Sequence, residues 1–313
     1  MTVRLLPKQA ESPMANLAND YLNHCRARGI APRTDHQYSY SLHSVFLPWC
    51  AKQRIDRVED FDRRAADRFT ATLLNHRKED GEPLSKYSVA TYTRPVRQML
   101  AWAREEGEQV KGQPQLPRRP KPLRDVLSRD KIDRLEKALP TDRDRVLLRV
   151  FADCGPRLEE VARLRTTDVV RAGREAYLRV HGKRDRFRDV PIAPELLRRV
   201  ERLIRQRPQD CADNHIFLAA RRAADGAYVA LSANAMYQVI KDAAARAKFE
   251  KRVYPHLLRH SWMTEMVRCG MHPMQLTLIA GASVEVIMDC YTHLTKADAY
   301  DSMMRALASP SRP

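Results

Sequence analysis

At 313 residues, 43% hydrophobic and 30% charged, the chain is globular in composition and long enough for two domains with sizeable cores. Its 56 Lys and Arg outnumber 39 Asp and Glu, and the net charge of +17 runs along the whole sequence, which excludes a basic tail on a neutral body and calls for a polyanionic partner. The six cysteines form no C-x-x-C pair, arguing against zinc or redox sites, and no run nears the ~18 apolar residues of a membrane span.

After a frayed arm over residues 1–12, a first helix is expected from about Met14 to Arg28, closed by Gly29. Pro32 starts a second helix, with Tyr38, Leu42, Val45, Phe46 and Trp49 as one apolar stripe. Asp60–Leu74 is a third, with Phe61, Ala65, Phe69 and Leu73 inward. Lys78–Ser85 is a polar loop, and Ser88–Glu105 is a fourth helix carrying Val89, Tyr92, Val96, Leu100 and Trp102. Residues 13–106 therefore form an all-helical bundle, whose basic faces offer Arg33, Lys86, Arg94 and Arg97 to a DNA backbone. Gly107–Pro122, with four prolines and no periodicity, is a linker whose Lys111, Arg118, Arg119 and Lys121 suit a phosphate track.

The second domain, 123–313, is mixed α+β and mostly helical. Ser128 caps a helix bearing Ile132, Leu135 and Leu139. Another helix runs from Asp142 to Asp153, and Pro156 opens a third in which Arg157 and Glu160 share a face. Tyr177–Val180 and Phe187–Ile192 alternate as two strands of a hairpin with Lys183 at its tip. Pro194–Arg205 is a helix, Asn214–Leu218 a short buried strand or loop, and Ala233–Ala247 a helix. Tyr254–Leu294 opens with His256, Arg259 and His260 and closes with Tyr291, Thr292 and His293. Ala297–Leu307 is a last short amphipathic helix, and the end frays.

These residues supply the parts of a metal-free attack on phosphorus. A tyrosine oxygen can be the nucleophile, and planar, permanently charged guanidiniums can meet the charge that develops on the phosphate oxygens. A lysine or histidine can move protons to and from the reacting oxygens. Arg157 and Arg259 sit near helix N-termini, where backbone N–H groups also favour an anion. Neither carboxylate spacing for a divalent metal nor a phosphate-cradling glycine loop accompanies them. Each residue alone is unremarkable: a surface Arg, a solvated hairpin Lys, a common H-x-x-R.

In combination and order, the chain resembles the tyrosine recombinases of the phage integrase type. CGPRLEEVARLRTTDV resembles the first-arginine block, giving Arg157 with Glu160 as its structural acid; HGKRDRFRDVPI resembles the hairpin block, giving Lys183. HLLRH gives His256, Arg259 and the usual follower His260, and YTHL gives Tyr291. The helical N-terminal part is similar to the family's core-binding domain. The resemblance implies site-specific cleavage and rejoining of duplex DNA through a 3′-phosphotyrosine, with Tyr291 as nucleophile, Arg157 and Arg259 on the scissile phosphate, Lys183 as general acid and His256 assisting. It also implies a homo-tetramer on paired sites, a Holliday junction, no cofactor, no metal, and a cytoplasmic, nucleoid-associated setting.

One position departs from the pattern. Where the family usually carries His or Trp, nine residues before the tyrosine, this chain has Ala282 in a Gly-Ala-Ser turn. Losing one such donor typically costs ~10²–10³ in rate. Three explanations stand beside one another: a slower enzyme helped by Ser283, His272 or His293, a deliberate substitution, or drift toward sequence-specific DNA binding. The enzyme is preferred, because the other five residues remain. A type IB topoisomerase is the rival that shares the chemistry.

Overall fold

The computed structural model describes residues 12–118, 125–182 and 186–308. Lys183, Arg119 and Lys121 lie outside the described residues, as does most of the expected N-terminal arm. The chain divides into two units, Met1–Pro122 and Leu123–Pro313.

The first unit is helical. Helix α1 (Pro13–Ala27) begins where the Ser12 hydroxyl accepts the Ala15 N–H at 3.2 Å. The helix expected from Pro32 is not uniform. It runs as α2 (Pro32–Ser39), a π-helical stretch (Tyr40–Phe46) and α3 (Leu47–Gln53). Pro48 supplies a reason: in a regular helix its ring would strike the Ser44 carbonyl, and widening the preceding turn relieves that clash. Leu47 N–H accordingly reaches back five residues to Leu42.

Helix α4 (Arg63–Asn75) starts after the expected Asp60, because the Asp62 carboxylate accepts the Ala65 N–H at 2.7 Å and fixes the first turn. Helix α5 (Lys86–Glu105) starts before the expected Ser88, because Ser85 is the residue that caps it, accepting from Ser88 N–H at 3.0 Å. Phe46 meets Phe61 and Phe69 edge-on at 5.4 and 5.3 Å, and all three are fully buried. Each such side chain contributes about 1.5–3 kcal/mol. The aromatic stripe is therefore core. The chain beyond α5 stays on the bundle as far as described: Arg97 Nη1 donates to the Pro114 carbonyl at 2.6 Å, and the Gln113 amide donates to the Arg97 carbonyl at 3.3 Å.

The second unit packs helices around a small sheet. Helix α6 (Arg129–Lys137) follows Ser128, which holds the cap position but makes no side-chain cap bond. Helix α7 (Asp142–Cys154) ends at Gly155, whose φ of 63° is left-handed. Helix α8 (Leu158–Ala162) starts later than expected: Pro156 lies outside it and Arg157 is the extended residue before its first turn. Three antiparallel strands follow in the order β1 (Val169–Ala172), β2 (Glu175–His181), β3 (Phe187–Pro191). The expected hairpin is β2–β3, and β1 adds an edge that the sequence did not signal. Leu178 sits opposite both Val169 and Val190, and Val180 opposite Arg188.

Helix α9 (Pro194–Arg205) leads to a segment in which His215 bridges Arg165 and Leu218 bridges Ala230, with Ile216 and Phe217 buried. Then come α10 (Ala233–Arg246), α11 (Pro255–Arg268), α12 (Pro273–Ala280), α13 (Val284–Tyr291) and α14 (Lys296–Ala308). Helix α11 is buried on nearly all sides, from Leu257 through Thr264, so its charged and polar side chains need internal partners. Among the described residues, no helix is long and apolar enough to cross a membrane.

Candidate active site

Glu160 is the centre of the site. It is 4% exposed, and a carboxylate so placed must be satisfied by fixed donors. It accepts the backbone N–H of Arg157 at 2.7 Å and Arg157 Nη1 at 2.9 Å. Arg188, on β3, clasps both of its oxygens, Nη1 to Oε1 at 2.9 Å and Nη2 to Oε2 at 2.7 Å. Burial works against the charged form, but the hydrogen bonds from Arg188 and Arg157 win and hold the carboxyl at about 2.

The C-terminal end of α12 is the second anchor. Helix ends leave carbonyls without intrahelical partners and carry partial negative charge. Here three successive carbonyls each take one arginine. Ile279 O accepts Arg188 Nε at 2.7 Å, Ala280 O accepts Arg259 Nη2 at 2.6 Å, and Gly281 O accepts Arg157 Nη2. Gly281 turns the chain with a left-handed φ of 59°, and a Cβ there would lie 3.1 Å from the Arg188 guanidinium.

Arg259 is 2% exposed and its Nη1 also donates to Gly155 O at 2.6 Å. Burial, then repulsion from Arg157, push it down to about 10, so it is still a cation at neutral pH. Two guanidiniums thus bind the one carboxylate and a third, Arg259, is held nearby on backbone carbonyls, an arrangement with an excess of fixed positive charge. Arg157 keeps 38% of its side chain exposed, whereas Arg188 keeps 12%.

His256 is exposed on the first turn of α11, three residues before Arg259 and on its face. His260 is buried and bonds His293 through the two Nε2 atoms at 3.1 Å, with Cys290 Sγ 3.8 Å from its Nδ1. Such a bond needs a donor and an acceptor. His293 is kept toward its neutral form, first by burial and then by the Arg268 charge. This pair ties α11 to the turn that follows Tyr291. Tyr291 ends α13 half-buried, and it packs with Ala282 on one small core of Trp262, Met263, Val267, Leu276, Ala280, Ile287 and Cys290. The structure therefore bonds Arg157 to Glu160 and seats Arg157 and Arg259 on adjacent carbonyls, Gly281 and Ala280. Ala282 directly follows the Gly281 carbonyl that Arg157 uses.

The side chains considered as substitutes for the missing His or Trp are all engaged elsewhere. Ser283 hydrogen-bonds Glu285, His272 Nδ1 accepts Met274 N–H at 3.3 Å at the far end of α12, and His293 pairs with His260. Among the residues named for DNA contact, Arg33, Lys86, Arg94, Lys111 and Arg118 are exposed on the first unit, while Arg97 is half-buried on the Pro114 carbonyl. Arg188 was missed by sequence reasoning. Its signal was available: it stands two residues from buried Val190, so alternation puts a charge on the inward face of β3.

The model of the Phage integrase family matches residues 125–298, and the chain belongs to that family. It is 28% identical over 262 residues to tyrosine recombinase XerC 2 of Ralstonia nicotianae, covering 80% of this chain and 74% of that one. It is 27% identical over 304 residues to tyrosine recombinase XerD of Corynebacterium glutamicum, covering 92% and 96%. Among solved structures, the XerH site-specific recombinase bound to difH in a post-cleavage complex shares the fold with a TM-score of 0.73 at 15% identity, covering 95% of this chain and 97% of that one. A lambda integrase dimer on a core site does so with a TM-score of 0.62 at 14% identity, covering 86% and 94%.

Proposed function

We propose that the arginine–glutamate network is the phosphate site of a DNA strand-transfer reaction with Tyr291 as its nucleophile. The chain is a site-specific DNA recombinase that cleaves and rejoins duplex DNA. Tyr291 Oη attacks the scissile phosphorus, the P–O5′ bond breaks, and a 3′-phosphotyrosine and a 5′ hydroxyl result. The incoming 5′ hydroxyl of another strand then reverses the step. Each exchange makes one phosphodiester for each broken, so no external energy source is required. Arg157 and Arg259 hold the non-bridging oxygens with the N–H groups not spent on carbonyls. Lys183 protonates the departing 5′ oxygen, and His256 assists the transfer or holds the phosphate. His260 and Glu160 support from behind.

The observation that carries this reading is the surplus of cations: Arg157 and Arg188 both bind Glu160, and they and Arg259 sit on three successive carbonyls ahead of the tyrosine helix, so three guanidiniums surround one carboxylate. A phosphodiester supplies the missing anion. Residues 13–106 act as the core-binding domain, 107–122 as a basic connection and 123–313 as the catalytic domain. Arg33, Lys86, Arg94, Arg97, Lys111, Arg118, Arg119 and Lys121 contact the backbone of duplex DNA. A tetramer on two paired sites passes through a Holliday junction, with α14 as the arm between protomers. Its Tyr300, Met303, Met304 and Leu307 are exposed in the single chain and suit a neighbour's surface. The working place is the nucleoid.

Ala282 favours a second, weaker form of the same reading, in which cleavage is slow and binding dominates. A nicked suicide substrate that traps the covalent intermediate decides between them. Enzyme activity gives a denaturation-resistant protein–DNA adduct that Tyr291→Phe abolishes. Tight binding with no adduct from the unaltered chain would leave only a DNA-binding protein.

A further inference from the structure

We propose that Arg188 is a positioning residue for strand cleavage, locking β3 and the α12 turn onto Glu160 and thereby setting the guanidinium of Arg157. The inference rests on the strand-transfer reading above. Arg188 projects from β3 on the face of buried Val190, opposite Val180. All three of its nitrogens are engaged: Nε on Ile279 O at 2.7 Å, Nη1 on Glu160 Oε1 at 2.9 Å, and Nη2 on Glu160 Oε2 at 2.7 Å. It is thus turned inward, unlike the more exposed Arg157, and takes no part at the phosphate.

Its three bonds join three separate pieces of chain. The Glu160 carboxylate fixes the first turn of α8 through the Arg157 N–H. Its Oε1 also lies close under the base of the β2–β3 hairpin, 3.9 Å from where a Cβ on Gly182 would be. Ile279 O belongs to the end of α12 whose next two carbonyls hold Arg259 and Arg157. Removing the Arg188 fork releases the hairpin base, the α12 end and one side of Glu160 together. The charged groups facing Glu160 would then be Arg157, the residue just before α8, and Arg259 from α11. With its principal donor gone, the buried carboxylate takes up a proton at higher pH, since burial opposes its charge. A protonated Glu160 no longer orients Arg157.

The test uses the full chain, a nicked suicide substrate, and Arg188→Gln and Arg188→Lys. Adduct formation is followed from about pH 5 to 9, alongside DNA binding and thermal melting. Arg188→Gln is expected to bind DNA nearly as well as the unaltered chain while forming adduct about 10²-fold more slowly, the cost typical of a reacting group displaced by ~1 Å. Its rate gains an acidic limb that the unaltered chain lacks. Arg188→Lys keeps a charge beside Glu160, so it removes that limb while recovering only part of the rate. A rate unchanged in both variants, or reduced by one factor at every pH, would overturn the proposal and leave Arg188 as simple core support. If Arg188→Gln does not fold, the rate and pH profile of Arg188→Lys decide. No adduct from the unaltered chain would overturn the cleavage reading, and this inference with it.

Discussion

Replacing Glu160 by glutamine removes the charge around which the site is built while keeping its shape. The carboxyl is held at about 2 instead of an ordinary 4.5. At ~1.4 kcal/mol per pH unit, that difference corresponds to about 3 kcal/mol of folding stability. The sign follows from the depressed folded value: the ionised form favours the native state, so the stabilisation is complete above the unfolded value of 4.5 and lost as pH falls toward 2. Urea unfolding of the unaltered chain and Glu160→Gln, across that interval and at neutral pH, measures it. The gap between the two proteins should be about 3 kcal/mol at neutral pH and shrink steadily below 4.5. A gap that stays constant to pH 2, or that never appears, would refute the idea that Arg188 and Arg157 stabilise an ionised Glu160.

Gly155→Ala should cost about 2–4 kcal/mol in denaturant unfolding, because φ is left-handed there and the new Cβ would fall 2.1 Å from the Trp262 ring. The same change moves the carbonyl that holds Arg259, so adduct formation should slow as well; an unchanged midpoint would contradict the packing. Ala282→His should raise the adduct rate by about 10- to 100-fold with little effect on binding, since it returns a donor beside the phosphate. No gain would mean that some other group already fills that role.

Much of the site was legible because its chemistry is local in sequence. Arg157 and Glu160 lie three apart and meet across one helical turn, and His256 and Arg259, also three apart, share a face of α11. The helical bundle was legible from periodicity, since Phe46, Phe61 and Phe69 are apolar at positions that only a core would use. What was hidden depends on contacts between distant segments or on backbone atoms. The three carbonyls of α12 meet arginines 91, 21 and 124 residues away in sequence, and a carbonyl leaves no mark in a residue pattern. Strand β1 was hidden because Val-Val-Arg-Ala neither alternates nor reaches the usual strand length; β2 supplies its partner. The π-helical stretch had a sign in Pro48, but an apolar stripe reads alike in a regular and a widened helix.

The most direct measurement is the identity and polarity of the covalent bond itself. A trapped protein–DNA complex, digested and mapped by mass spectrometry, should carry its nucleotide on the Tyr291 peptide through a 3′ phosphate. The released strand should end in a 5′ hydroxyl that a kinase can label. A nucleotide on any other residue, or a tyrosine joined to a 5′ phosphate, would contradict the account.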